Sequence, residues 1–210
     1  MEFKNEIGLI QRRMAASIAG TSRRLEILNA LDIESGQYVL DIGCGGGHLL
    51  EEIAKAVGSD GKAYGLDTSE DQLNQARKRC SLYKNVFTIK GYANQISLEN
   101  NSCDSICSVQ TFEYIDNVDD SIKELTRILK PSSIFVNISI LWEYYKFFGA
   151  DEELNKTIHD TFKAHCFHQM LPTSLEGKLK KFGFKNIKHK PLPMFITNRD
   201  DNSPAKFAEE

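Results

Sequence analysis

The run Gly43-Cys44-Gly45-Gly46-Gly47 constrains this chain more than any other, because of what flanks it. Before it, Tyr38-Val39-Leu40-Asp41-Ile42 reads as a buried strand; after it, Leu49, Leu50, Ile53 and Val57 recur at helical spacing until Gly58. A strand must therefore turn tightly into a helix. Glycines allow that turn and let a ligand approach the amides at the helix N-terminus, so a polar group is expected to bind there.

The alternation continues on both sides. Ahead of the strand, Ile7, Ile10, Met14 and Ile18 predict a helix over 5–19, and Leu25, Leu28 and Leu31 a second one beginning after Thr21-Ser22. Behind it, Ser59-Asp60-Gly61 leads to a short strand ending at Asp67, and Ser69 with Gln72 forms a capping box for a helix carrying Leu73 and Ala76. Strands are expected at 86–90, 104–109 and 134–140, with a helix at 119–129 that turns Ile122, Leu125 and Leu129 inward before Pro131. Helix follows over 151–166. Thr173 and Glu176 then box the start of a last helix that Gly183 ends, with a sixth strand at 184–190 and a short seventh candidate at 194–197. Repeated strand–helix units imply an α/β fold, a mostly parallel central sheet with helices on both faces.

At 210 residues, 41% hydrophobic and 26% charged, the chain has the bulk of a single soluble domain. The net charge of −3 offers no general attraction to nucleic acid, so a small-molecule substrate is the starting expectation and no nucleic-acid partner is expected. No basic, apolar leader opens the chain and no stretch is apolar enough to span a bilayer, from which a cytoplasmic location is expected. Five scattered cysteines fit reduced thiols. Cys103 and Cys107 lie four apart on one strand and so should share a face, but no further ligands stand at zinc spacing and no metal is expected.

The ligand is defined further by two carboxylates. Asp67 stands at the end of the strand after the glycine turn, where an acid can accept both hydroxyls of a ribose. A dinucleotide register starting at Gly43 requires a small residue where His48 stands. Asp41, at the first strand's end, opposes a pyrophosphate but attracts an α-ammonium group. Adenosine joined to an amino acid satisfies both acids.

Through Val39-Leu40-Asp41-Ile42-Gly43-Cys44-Gly45-Gly46-Gly47 and Gly65-Leu66-Asp67, the chain resembles the class I S-adenosylmethionine-dependent methyltransferases. The likeness continues through Gly91-Tyr92-Ala93, Asp104-Ser105-Ile106-Cys107-Ser108-Val109-Gln110 and Arg127-Ile128-Leu129-Lys130-Pro131. Its layout is similar to the quinone-biosynthesis and arsenite group, although no arsenic-binding cysteine triad is identifiable. The resemblance implies a Rossmann-like fold of strand order 3-2-1-4-5-7-6, S-adenosylmethionine as cofactor, and methyl transfer to a small-molecule acceptor. It divides the chain into an N-terminal helical cap (1–35), a core (36–141 and 170–198), a substrate-covering insertion (142–169) and a polar tail (199–210).

By the same resemblance, Asp41, Gly43, Cys44 and Gly45 line the methionine part, Asp67 the ribose, and Thr68 and Gln72 the adenosine edge. Ala93 faces the adenine, Gln110 opens toward the transferred methyl, and Tyr92 stands where the family often has an acid, with stacking or the neighbouring Asn94 as the substitute. Cys44 itself reads as a small filler of the turn. His165 and Glu113 are the candidate general bases, each weighed against a purely structural role. The aromatic run Trp142, Tyr144, Tyr145, Phe147 and Phe148 is compatible with core packing or an apolar acceptor pocket, and Lys178, Lys180, Lys181, Lys185, Lys188 and Lys190 with a solvated face or with attraction of an anionic substrate or surface. A non-catalytic binding protein of the same fold and a dinucleotide-dependent oxidoreductase are the competing readings, and a second copy of the chain, even one lending a strand, is the candidate macromolecular partner.

Overall fold

The computed structural model describes residues 5–144, 151–163 and 166–192. Five parallel strands, β1 (Tyr38–Ile42), β2 (Lys62–Asp67), β3 (Val86–Lys90), β4 (Cys103–Val109) and β5 (Leu129–Ile138), form one sheet in the order β3-β2-β1-β4-β5. The glycine run thus leaves the central strand, paired from Tyr38–Lys62 to Ile42–Leu66 on one side and from Val39–Ser105 to Ile42–Ser108 on the other. Reversal of the strand order beside β1 creates the crevice at which open α/β sheets bind ligands.

Each face of the sheet buries one core. Helices α2 (Ile18–Leu31), α3 (His48–Val57) and α4 (Glu70–Arg79) lay Ile27, Leu50, Ile53, Leu73 and Ala76 over Val39 and Ala63. On the opposite face, α5 (Val118–Ile128) and α7 (Leu171–Lys181) bring Ile122, Leu125, Leu171 and Leu175 against Leu40, Ile42, Leu66 and Ile106. The buried positions of α5 recur as a stripe, and Asn117 caps it by accepting from the Asp120 amide at 3.3 Å.

The remaining helices are α1 (Asn5–Ala16) and α6 (Glu152–Lys163). The single helix expected over 5–19 is broken at Ser17, whose hydroxyl donates to Met14 O and accepts from the Gly20 amide, capping α2. Thr21-Ser22 therefore lies inside α2 rather than before it. Gly20 permits the close passage of the two helices, since a Cβ there would sit 2.4 Å from Ala15 O.

Three other expectations are corrected. Thr173 does not cap α7: the helix starts at Leu171 with Pro172 in its first turn, and the Thr173 hydroxyl donates back to Met170 O. Cys103 and Cys107 do not share a face, because a register irregularity between Cys103 and Ser105 turns Cys103 toward the α5 and α7 core and Cys107 toward the other. The segment expected as strand six, 184–190, joins no sheet among the described residues. In the expected order that strand pairs only with the seventh, whose candidate at 194–197 lies outside the described residues. Phe184 packs on Phe135 instead, and Asn186 takes a positive φ that interrupts an extended run. No helix among the described residues is long and apolar enough to cross a membrane.

Candidate functional site

The glycine loop is held from both sides. Gly43 and Cys44 donate their amides to Leu66 O at the end of β2, and Arg79 reaches from the end of α4 to Gly46 O at 3.0 Å. Gly43 has φ +74°, and a Cβ on it would lie 2.1 Å from Thr111 Oγ1, so the loop also rests on the turn after β4. The Cys44 side chain is buried beneath Gly65, as expected of a filler, and burial pushes its thiol pKa up.

Asp67 is the link between the loop and the second strand. Its Oδ2 accepts from the Gly45 amide at 2.9 Å and its Oδ1 from the Ser69 amide at 2.9 Å. Each oxygen keeps a lone pair for a further donor. The Asp67 carbonyl accepts from the Gly91 amide, which brings the 91–94 loop alongside. There Ala93 is buried, while Tyr92 and Asn94 are exposed. Thr68 lies exposed just after β2. Gln72 is fully buried behind the loop, its Oε1 3.6 Å from where a Gly46 Cβ would be, and its amide donates to Ser69 Oγ, so the capping box expected at this helix is only half formed as a cap.

Asp41 is buried, and Cys107 Sγ donates to its carboxylate over a long 3.9 Å. Burial, reinforced by the neighbouring Asp67, pushes its pKa up to about 7. Asp41, Gly43, Cys44, Gly45, Gly46 and Gln110 line a cleft that is open to solvent. Gln110 sits at its wall with a positive φ, its amide bound to Ile138 O at 2.7 Å. Asp67, Thr68, Gln72, Tyr92, Ala93 and Asn94 flank this cleft rather than line it.

The opposite wall comes from residues the sequence did not assign to the site. Arg12, Met14, Ala15, Gly20, Arg23 and Arg24 of the α1–α2 hairpin face the glycine loop, together with His48. Arg12 pairs with Asp71 of α4 at 3.6 Å, and Arg24 pairs with Glu52 of α3 at 3.0 Å. The doublets Arg12-Arg13 and Arg23-Arg24 ahead of β1 were the available signal, but only tertiary docking turns Arg12, Arg23 and Arg24 toward the cleft. His48 is held neutral: burial and then Arg79 and Arg24 pull its pKa down to about 4, with Arg79 Nη2 3.0 Å from His48 Nε2.

Of the two candidate bases, Glu113 is fully buried and does not line the cleft. Its carboxylate accepts from Ser139 Oγ at 2.9 Å and the Ile140 amide at 3.4 Å, and burial raises its pKa. His165 lies outside the described residues, as do Tyr145, Phe147 and Phe148. Trp142 is half-buried and Tyr144 exposed. The lysine stretch forms surface ion pairs, Lys178 and Lys181 with Asp119 and Lys190 with Glu26. No group of three or more potential metal ligands gathers among the described residues.

A family model described as a methyltransferase domain matches residues 33–199, most of the chain. The chain belongs to that family. The chain is similar to a solved S-adenosylmethionine-dependent methyltransferase from Aquifex aeolicus, 26% identical, over 72% of this chain and 78% of that one with a TM-score of 0.55. The fold is shared with phosphoethanolamine N-methyltransferase 2 of Haemonchus contortus bound to S-adenosylmethionine, at 22% identity and TM-score 0.71 over 89% of this chain and 43% of that one. The domain is also 29% identical to demethylmenaquinone methyltransferase of Lactobacillus johnsonii over 78% of this chain and 74% of that protein. Two further curated relatives are spanned over less than half their length: 44% of an uncharacterized 37.1 kDa transposon protein of Streptomyces fradiae and 47% of demethylmenaquinone methyltransferase of Staphylococcus aureus. S-adenosylmethionine is thus the cofactor of this methyltransferase domain, and the buried Asp41, whose raised pKa a cation would relieve, fits it.

Proposed function

We propose that this domain moves the methyl group of S-adenosylmethionine to a small-molecule acceptor by in-line displacement. The observation that carries the reading is the joining of the glycine loop to Asp67 through the Gly45 amide, with Asp41 buried beside it. Asp67, already oriented by two amides, would accept the two ribose hydroxyls on its remaining lone pairs. Asp41 would meet the α-ammonium of the methionine part, and Gly43 and Gly45 would let it lie close to the main chain. Thr68, Tyr92, Ala93 and Asn94 would frame the adenosine, with Gln72 supporting the loop from behind.

When bound, the cofactor supplies the electrophilic carbon as a sulfonium methyl. The chain's own contribution would be to hold the acceptor in line at the Val109–Gln110 wall and to exclude water beneath the α1–α2 hairpin. His165 remains the candidate base for acceptors that must lose a proton. The likeness to demethylmenaquinone methyltransferases supports an aromatic, apolar acceptor, and the aromatic residues Trp142 and Tyr144 follow β5 in a short helical turn.

Calorimetry with S-adenosylmethionine and with NAD tests the cofactor, and binding of NAD alone would sink the proposal. Release of S-adenosylhomocysteine on addition of metabolite fractions, with reduced demethylmenaquinone as the first pure compound, tests the transfer. Binding without turnover across all of them would favour the non-catalytic reading.

A further inference from the structure

Glu113 lies where three segments meet, the turn after β4, the exit from β5 and the stretch before α7. Its carboxylate takes Ser139 Oγ and the Ile140 amide, and the Ser139 hydroxyl accepts in turn from Asn137 Nδ2 at 2.9 Å. Its carbonyl accepts from the His168 amide at 3.0 Å and from Cys166 Sγ at 3.4 Å. One residue thereby binds the chain where it leaves β5 and where it returns before α7. The same turn carries Gln110, tied to Ile138 O, and Thr111, which abuts Gly43. Withdrawing a carboxylate from water is costly, and an apolar side chain would fill the same space without that cost. What the carboxylate adds is direction: two donors from β5's end must meet it at fixed angles.

We propose that Glu113 is a positioning residue, a clasp that joins 139–140 to 166–168 and thereby fixes the turn bearing Gln110 at the wall of the cleft. Its role as the anchor of the acceptor side rests on the methyl-transfer reading; the clasp itself does not. Glu113 acts through Gln110 and Ser139 and touches no reactant.

Amide hydrogen exchange on the full chain tests it, comparing Glu113→Ala, Glu113→Gln and Ser139→Ala with the parent. In Glu113→Ala the Ile140, His168 and Gln110 amides are expected to exchange about tenfold faster or more, while amides of β1 keep their rates. His168 is the informative position, because it bonds to the Glu113 main chain, which the substitution leaves in place. Glu113→Gln keeps one acceptor oxygen and should restore part of the protection. A rate increase confined to Ile140, one spread equally over β1, or none at all overturns the clasp. If Glu113→Ala does not fold, Glu113→Gln and Ser139→Ala carry the same comparison. S-adenosylmethionine affinity in Glu113→Gln should stay within about threefold of the parent, since the carboxylate lies outside the cofactor-lining loop. A parent that binds no S-adenosylmethionine defeats the methyl-transfer reading and leaves the clasp standing on its exchange data.

Discussion

Asp41 has the most measurable consequence of any single side chain. Its carboxyl binds a proton more tightly folded than unfolded, so its ionisation opposes folding. That cost is absent below its unfolded value of 3.8, grows as pH rises, and is complete above about 7. A shift of this size corresponds to no more than about 4 kcal/mol. Asp41→Asn should therefore flatten the loss of stability between pH 4 and 7 in denaturant titrations while abolishing S-adenosylmethionine binding. In the parent, binding of a cation beside Asp41 should strengthen from pH 6 to 8 and then level off, with proton release visible when calorimetry is repeated in buffers of different ionisation enthalpy. A flat affinity profile would remove Asp41 from the contact. Gly43→Ala should destabilise by about 2 kcal/mol or more, because a positive φ and the Thr111 side chain both oppose a Cβ, and Thr111→Ala in the same chain should recover part of the melting temperature. Asp41, Gly43 and Asp67 were legible in the sequence because strand ends and a glycine turn determine where they stand. Arg12, Arg23 and Glu113's bonds were not, since each depends on contacts between segments far apart in the chain.

At the scale of elements, periodicity placed β3, α3 and α5 within a residue of their bounds, as their buried stripes are set by local spacing. It failed where competing hydrogen bonds decide. Ser17 and Gly20 divide what the apolar spacing alone makes one helix, and Cys103 departs from the alternation where the β4–β5 register shifts. Arg127 shows how a motif recognised by resemblance acquires a physical role. It donates to Ile96 O and Leu98 O and pairs with Glu124, which itself accepts from the Ile96 amide, so α5 grips the loop that follows Ala93. Arg127→Ala should lower stability by about 1–2 kcal/mol, read as a shift in urea midpoint with an unchanged slope. Weaker S-adenosylmethionine binding is expected alongside, through the adenine-side loop; unchanged affinity would confine Arg127 to stability.

For the whole molecule, the strand order was legible through β5, and the seventh-strand candidate lies outside the described residues. In the expected order the sixth strand depends on the seventh for its pairing, which its own composition does not dictate. S-adenosylmethionine at a hundredfold excess over its Kd should raise stability by about 2.7 kcal/mol, visible as a concentration-dependent increase in melting temperature, whereas NAD should leave it unmoved. The sheet also separates two kinds of support. The glycine loop hangs from β1, flanked by paired strands on both sides, while the segment that the Glu113 carboxylate holds leaves from β5, the last strand of the sheet among the described residues. Under the proposed function, donor and acceptor recognition are thus separable inheritances. A chimera carrying a relative's 139–169 on this frame should keep its cofactor and adopt the relative's acceptor, and a lineage could change its chemistry by revising one border of the sheet while its centre stays as it was.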